Sequence, residues 1–168
     1  MKKVLLGAIA TAVIVSCSTV SSIMQNTFPF NSTIVVTKGS PANTTLSTIG
    51  TGTGINQLVG TSTNVKDIRL SNSTVTITNG DHGMGIFKSV KVYLTTGSNE
   101  ILVASRDNIS DNIGNTLALD VDNSKTLDNT MKSGSTVQQK IVYTLKSAPT
   151  SDVTLRTTLN FTSSPITQ

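Results

Sequence analysis

The sequence of 168 residues contains no tryptophan, one histidine, one cysteine and one glutamate, and its aromatic content is only 4%. A single imidazole, at His82, leaves too few nitrogen and sulfur ligands for a zinc site. It also leaves no reserve histidine for a Ser-His-Asp triad, and the G-x-S-x-G nucleophile motif is absent. We therefore expect a protein that is not an enzyme and carries no metal or other cofactor.

Two glycine-rich stretches are better explained as connections than as catalytic loops. Residues 50–54 read Gly-Thr-Gly-Thr-Gly, but the Lys-Ser/Thr pair of a phosphate-binding loop does not follow. Residues 79–85 begin with Asn-Gly between alternating runs, which is a strong hairpin signal. His82 lies inside this second stretch, so we interpret it as a solvated turn residue.

Charge is scarce, and its balance argues against a nucleic-acid partner. Charged residues make up 13% of the chain, and the formal net charge is +4. Lys2 and Lys3 belong to an N-terminal export signal described next, so its removal leaves 11 basic and 9 acidic residues, a net +2. A nucleic-acid-binding domain normally shows a much stronger basic excess.

The N-terminus has the form of a secretory signal peptide. Lys2 and Lys3 precede an apolar run of 12 residues, 4–15, which is too short to span a bilayer comfortably. The sequence Ile14-Val15-Ser16-Cys17 then ends in the only cysteine of the chain. A lone thiol in an exported protein is an anomaly, because it has no partner for a disulfide.

The stretch ending in Cys17 resembles the lipobox of bacterial lipoproteins. The resemblance implies cleavage after residue 16 and acylation of Cys17, and two or three acyl chains would anchor the protein durably in a membrane. Residues 17–27 are then a lipidated tether before a domain at 28–168. Residues 18–22 contain no acidic side chain, and comparison with Bacteroidota lipoproteins therefore favours an outer-membrane protein that faces the periplasm.

Alternation of apolar and polar residues, typical of strands with one buried face, dominates the chain after Val65. Before it, we predict one strand at 32–37, entered through 28–30, and no regular alternation over 44–63. Further strands are predicted at residues 66–70, 74–78, 87–94, 100–105, 117–121, 137–145 and 153–161. The strand at 100–105 is apolar on both faces and is predicted to be central.

Short helical turns are predicted at 55–59 and at 126–132, where Leu127 and Met131 are spaced i, i+4. Many short strands with turns between them indicate an all-β domain, with seven to nine antiparallel strands in a single immunoglobulin-like β-sandwich. From about Val65 to Phe161 the order of elements resembles small Bacteroidota lipoproteins of immunoglobulin-like build. That resemblance carries no catalytic motif.

Four aspartates are the candidate ligand-binding residues, because hard cations such as calcium prefer several oxygen ligands. They are Asp107 and Asp111 on one polar loop and Asp120 and Asp122 near the next strand end. The calcium-loop spacing fails, since Lys125 and Met131 stand where Gly and Glu are expected. For glycans, Tyr93 is the lone candidate aromatic, and it is more simply a residue of a strand face.

The sequence thus predicts a membrane-anchored, non-catalytic structural or interaction module of the cell envelope with a protein partner. The partner would engage a sheet edge or the exposed loops. Two alternatives remain: a glycan- or calcium-binding envelope lipoprotein, and a fimbria-type subunit.

Overall fold

The computed structural model describes residues 26–54, 57–58, 65–132 and 136–166. The predicted signal at 1–16, Cys17 and most of the tether lie outside these residues. Nine strands and two short helical elements have defined bounds in the described part, in addition to the helical residues Gln57 and Leu58. They are β1 (Asn26–Val36), β2 (Thr45–Ile49), β3 (Thr53–Gly54), β4 (Val65–Asn79), the 3-10 turn Met84–Ile86, β5 (Phe87–Thr96), β6 (Asn99–Asp107), β7 (Thr116–Val121), α1 (Asp128–Lys132), β8 (Thr136–Leu145) and β9 (Val153–Pro165).

All strand pairs are antiparallel, and together they form one nearly closed, barrel-like sheet in the order β1-β9-β4-β7-β6-β5-β8-β2, with β3 also on β8. β7 joins the two halves of this sheet. Its first four residues pair with β4, whereas Asp120 and Val121 pair with β6. The all-β class and the strand number are confirmed, and β1 and β2 are left at the two ends of the sheet.

One hydrophobic cluster fills the space inside the sheet. Both halves contribute to it, because inward and outward residues alternate along β8 and β9. Phe28 stacks on Phe161 with ring centroids 5.2 Å apart, and Phe87 meets Tyr143 edge to face at 5.8 Å. Full burial of each large apolar side chain stabilises the fold by about 1.5–3 kcal/mol.

The helical turn predicted at 126–132 is confirmed, and α1 closes one end of the core. Leu127 N donates to Ile68 O at 2.7 Å, and Ile68 N donates to the Asp128 carboxylate at 3.0 Å. Met131 of α1 is fully buried, and Lys132 Nζ donates a hydrogen bond to Val65 O at 2.6 Å. These contacts hold the start of β4 against the helix.

The two ends of the sheet approach each other without a strand ladder between them. Gln139 on β8 is fully buried, and its side-chain Nε2 donates to the carbonyl of Phe30 on β1 at 2.8 Å. Three buried polar atoms at this junction lack a protein hydrogen-bond partner among the described residues: Ser32 Oγ, Thr157 Oγ1 and Gln139 Oε1. The junction is therefore closed by side chains.

Three of the predicted strand assignments are corrected. β1 begins at Asn26 and includes Pro29, which an edge strand tolerates because no neighbouring strand needs its N–H. Residues 66–70 and 74–78 are parts of one strand, β4. β2 and β3 lie within 44–63, where no strand was predicted, and only Gln57 and Leu58 of the turn predicted at 55–59 are described, as helical. β6 lies inside the sheet between β7 and β5, as predicted, although its pairing with β7 is confined to Ala104 and Ser105 and its Leu102 is 42% exposed.

Candidate strand-docking edge

The four predicted ligand residues do not share one site. Asp111 lies in the loop after β6 and pairs with Lys146 at the end of β8. Asp120 is an outward residue of β7 and pairs with Arg106 at 2.9 Å. Asp122 follows β7, and Asp107 ends β6. Asp111 and Asp120 are therefore each engaged by a different basic side chain.

Asp122 shows how local these interactions are. Its carboxylate accepts bonds from the hydroxyl of Ser124 at 2.5 Å and the amide of Ser124 at 3.1 Å, and Lys125 lies 3.1 Å away. The Ser124 hydroxyl first, then Lys125, holds the pKa of this carboxyl below its ordinary value. This is the geometry of a polar turn. Across the described residues, no three His, Cys, Asp or Glu side chains form a group that could hold a metal ion.

The loops at one end of the sheet enclose a shallow depression of about 390 Å³ that includes His82. His82 is half-buried, and its Nε2 lies 3.2 Å from the hydroxyl of Thr150. The neighbouring Asp81 accepts a bond from Ser151 at 3.2 Å. These contacts fasten the turn after β4 to the loop before β9. His82 is thus a turn residue, as predicted, although it is only partly exposed.

β2 lies at one end of the strand order, and the edge that it turns away from β8 is called here the free edge of β2. β2 pairs with β8 from Thr45 opposite Thr144 to Ile49 opposite Lys140, and no register shift interrupts it. Gly50 continues this register, because its N–H donates to Gln139 O at 2.8 Å. In an antiparallel ladder, hydrogen-bonded pairs alternate with pairs that are not hydrogen-bonded.

The position of Gly50 therefore determines which backbone groups are free. Two and four residues before Gly50, the backbone groups of Thr48 and Leu46 likewise bond to β8. The N–H and C=O groups of Thr45, Ser47 and Ile49 consequently point away from β8, toward the side on which no second strand of the described residues pairs with β2. The side chains of the same three residues are exposed. Three residues of this edge are thus available to pair with an added strand.

The five residues of β2 include neither of the residue types that usually protect edge strands. Their sequence, Thr-Leu-Ser-Thr-Ile, contains no charge and no proline, and such residues are what block edge-to-edge pairing in natural sheets. Ile49 is 55% exposed, the highest value among the large hydrophobic side chains of the described residues. β1, at the other end of the sheet, is protected by Pro29, and its Phe30 carbonyl is occupied by Gln139.

The outer face beside this edge is also partly apolar. The strand register places Leu102, Tyr93, Lys140 and Ile49 in one row across β6, β5, β8 and β2. Lys140 bonds to Glu100 at 2.8 Å and lies 5.9 Å from the centre of the Tyr93 ring. The charge of Lys140 is thereby balanced by Glu100 on β6, and the row ends in the neutral, exposed Ile49.

Comparison with known proteins identifies no family. No protein-family model and no curated protein matches the chain. Among solved structures, one titled Desmodium yellow mottle tymovirus is 12% identical, with a TM-score of 0.26, over 100% of this chain and 97% of that chain. Similarity at this level transfers neither a site nor a function.

Sequence reasoning missed β2 because a strand at the end of a sheet buries little apolar surface. Of its inward residues, only Leu46 is apolar, and Ile49 is out of phase with it, so no single apolar face is visible. The β-branched residues Thr45, Thr48 and Ile49 are the signal that could have indicated a strand. The free edge itself depends on the strand order and could not be read from the pattern.

Proposed function

We propose that this protein is a lipid-anchored, non-catalytic module of the bacterial cell envelope that binds another protein by adding a strand to the free edge of β2. The observation that carries the proposal is the uncharged edge of Thr45, Ser47 and Ile49 with its outward backbone groups. Strand addition of this kind obtains affinity from main-chain hydrogen bonds and specificity from alternate side chains.

The anchor part of the proposal is supported by the lipobox-like stretch that ends at Cys17, which lies outside the described residues. No helix of the described part is long and apolar enough to cross a membrane. We further propose that the anchor holds the domain at the outer membrane, facing the periplasm, because residues 18–22 carry no acidic side chain.

The fold part of the proposal is an immunoglobulin-like sandwich. What supports it is that the two halves of the sheet, β1-β9-β4-β7 and β6-β5-β8-β2, are antiparallel and share one core. The glycan- or calcium-binding and fimbria-type alternatives stay hypotheses that no contact of the described residues favours.

The anchor is tested by substituting Cys17→Ser. The wild type should take up radioactive fatty acid and sediment with membranes, whereas the serine variant should do neither. A serine variant that stays membrane-bound, with an unlabelled wild type, would show that the lipobox reading is wrong. Protease added to intact cells should leave the domain uncut, and rapid cleavage would overturn the periplasmic assignment alone.

The docking edge is tested with a photo-crosslinking amino acid at Ile49 in the native cell, combined with changes at Ser47. Ser47→Pro removes an N–H that points away from β8, so the β8 ladder is kept while the added strand loses a donor. Ser47→Thr is the matched control, because it keeps the N–H and the strand preference. Crosslinking should be lost with Pro and kept with Thr. Equal yields in both variants would exclude docking by strand addition.

A further inference from the structure

The free edge of β2 is symmetric about its central residue. Thr45 and Ile49 lie two residues on either side of Ser47, and all three direct their backbone groups to the free side. An antiparallel strand of the same sequence can therefore pair with this edge about a two-fold axis at Ser47. Each of the three positions would then exchange both of its hydrogen bonds, as in a regular antiparallel ladder.

We propose that the strand that docks on β2 is β2 of a second copy of this chain, an inference that rests on the proposed function of this edge. Ser47 faces Ser47 of the second copy, and Thr45 of each copy faces Ile49 of the other. The two half-sheets β6-β5-β8-β2 then join into one sheet of eight strands. A closed, two-fold contact of this kind is the commonest symmetry of protein oligomers.

The side chains of the edge suit this arrangement. Thr45 and Ile49 are both β-branched, and such cross-strand pairs stabilise antiparallel sheets. The row that carries Lys140 ends at Ile49 and continues into Thr45 of the second copy. Within that copy, the register then leads from Thr45 to Thr144, Ser89 and Asp107. Along this row the charged residues are Lys140 of one copy and Asp107 of the other, which have opposite signs, so the row does not repel its own copy.

The size of the contact determines where it forms. A five-residue strand offers much less area than the roughly 1,200–2,000 Å² that a stable protein–protein interface buries. Association through β2 alone is therefore weak in dilute solution. Anchoring to one membrane confines the copies to a surface and raises their effective concentration, which favours the same contact.

Cysteine crosslinking tests the register directly, because the chain has a single native cysteine, Cys17. Across a hydrogen-bonded antiparallel pair the Cα atoms are about 5.5 Å apart, which lies within disulfide range. Ser47→Cys in the full chain, reconstituted in phospholipid vesicles and mildly oxidised, should form a dimer. The parent chain with Cys17 alone is the background control.

Thr45→Cys and Ile49→Cys provide matched controls on the same strand. Each alone places its two thiols far apart and should give on the order of tenfold less dimer than Ser47→Cys, whereas a mixture of the two variants should crosslink well. The mixture also tests the register if Ser47→Cys fails to fold. Absence of dimer in both Ser47→Cys and the mixture, or equal dimer from all three single variants, would overturn the two-fold contact.

The failure of this inference can be told from the failure of the proposed function. The photo-crosslinked product at Ile49 has twice the mass of the chain if the occupant is a second copy. A product of another mass that disappears in Ser47→Pro would leave the docking edge standing and overturn the second copy. If no crosslinked product disappears in Ser47→Pro, both the docking edge and the second copy are overturned.

Discussion

The hydroxyl of Ser32 on β1 occupies the space that a side chain at Gly50, directly after β2, would need. A Cβ added to Gly50 would lie 1.7 Å from Ser32 Oγ and 3.6 Å from the carbonyl oxygen of Gln139. The close approach brings the two ends of the sheet into contact where no strand ladder joins them. Gly50 itself is buried and its N–H bonds to β8, so it adds no free N–H group to the edge of β2.

Gly50→Ala should therefore destabilise the protein by about 1–3 kcal/mol, since the added methyl group overpacks the junction. Urea unfolding measures this loss. Adding Ser32→Ala should recover most of it, because the two changes are coupled through one contact. Gly114→Ala is the matched control: no atom lies within 4 Å of its added Cβ, and it should change the unfolding free energy little. An equal loss at both glycines would place the cause outside the Ser32 contact.

The buried amide of Gln139 should hold β1 in place. Gln139→Leu leaves the Phe30 carbonyl without its donor, and an unpaired buried group costs about 1–3 kcal/mol. We expect this loss in urea unfolding, together with faster amide hydrogen exchange along β1. Gln138→Leu, at the neighbouring outward position, should stay within about 0.5 kcal/mol of wild type. Unchanged exchange along β1 in Gln139→Leu would contradict this role.

Core and surface leucines should respond very differently to truncation. Leu155 is fully buried on β9, between β1 and β4, and Leu155→Ala should cost about 2–5 kcal/mol. Leu119→Ala, on β7, should cost a similar amount. Leu102 is 42% exposed, so Leu102→Ala should change the unfolding free energy by no more than about 0.5 kcal/mol. A large loss at Leu102 would show that its outward face is covered.

The strands with one apolar face were predictable because burial and the two-residue period coincide there. β8 is the clearest case, with Val137, Gln139, Ile141, Tyr143 and Leu145 all buried. The prediction of two strands in place of β4 was wrong, because polar residues near Ser71 interrupt the pattern while bulges let the ladder with β9 continue. Local pattern cannot reveal such bulges.

The candidate site was less predictable than the fold. The aspartates stood out in the sequence because oxygen ligands are recognisable by type, yet Asp111 and Asp120 bond to Lys146 and Arg106, which are distant in the pattern. The edge of β2 has no chemical motif. It is recognised only when the strand order shows that β2 lies at one end of the sheet, because an uncharged sequence is unusual for a strand in that position.

The last prediction concerns the alkaline limit of stability. Tyr143 is 4% exposed, and burial raises the pKa of its phenol above the ordinary value, although bonds with Thr48 and Ser40 oppose the shift. A raised pKa means that the folded state holds the proton more tightly than the unfolded state. The stabilisation that the protonated Tyr143 phenol contributes to the folded state is therefore complete below about pH 10. It is lost as the pH rises from there through the higher folded-state pKa.

Unfolding free energy measured at a series of pH values should thus fall above about pH 10 in the wild type. Tyr143→Phe has no phenol to ionise, so its curve should be flatter in this range, even if it starts slightly lower through loss of the two hydroxyl bonds. Tyr93→Phe, on the outer face, is the matched control and should keep the wild-type fall. If Tyr143→Phe falls as steeply as Tyr93→Phe, burial of this phenol does not set the alkaline limit.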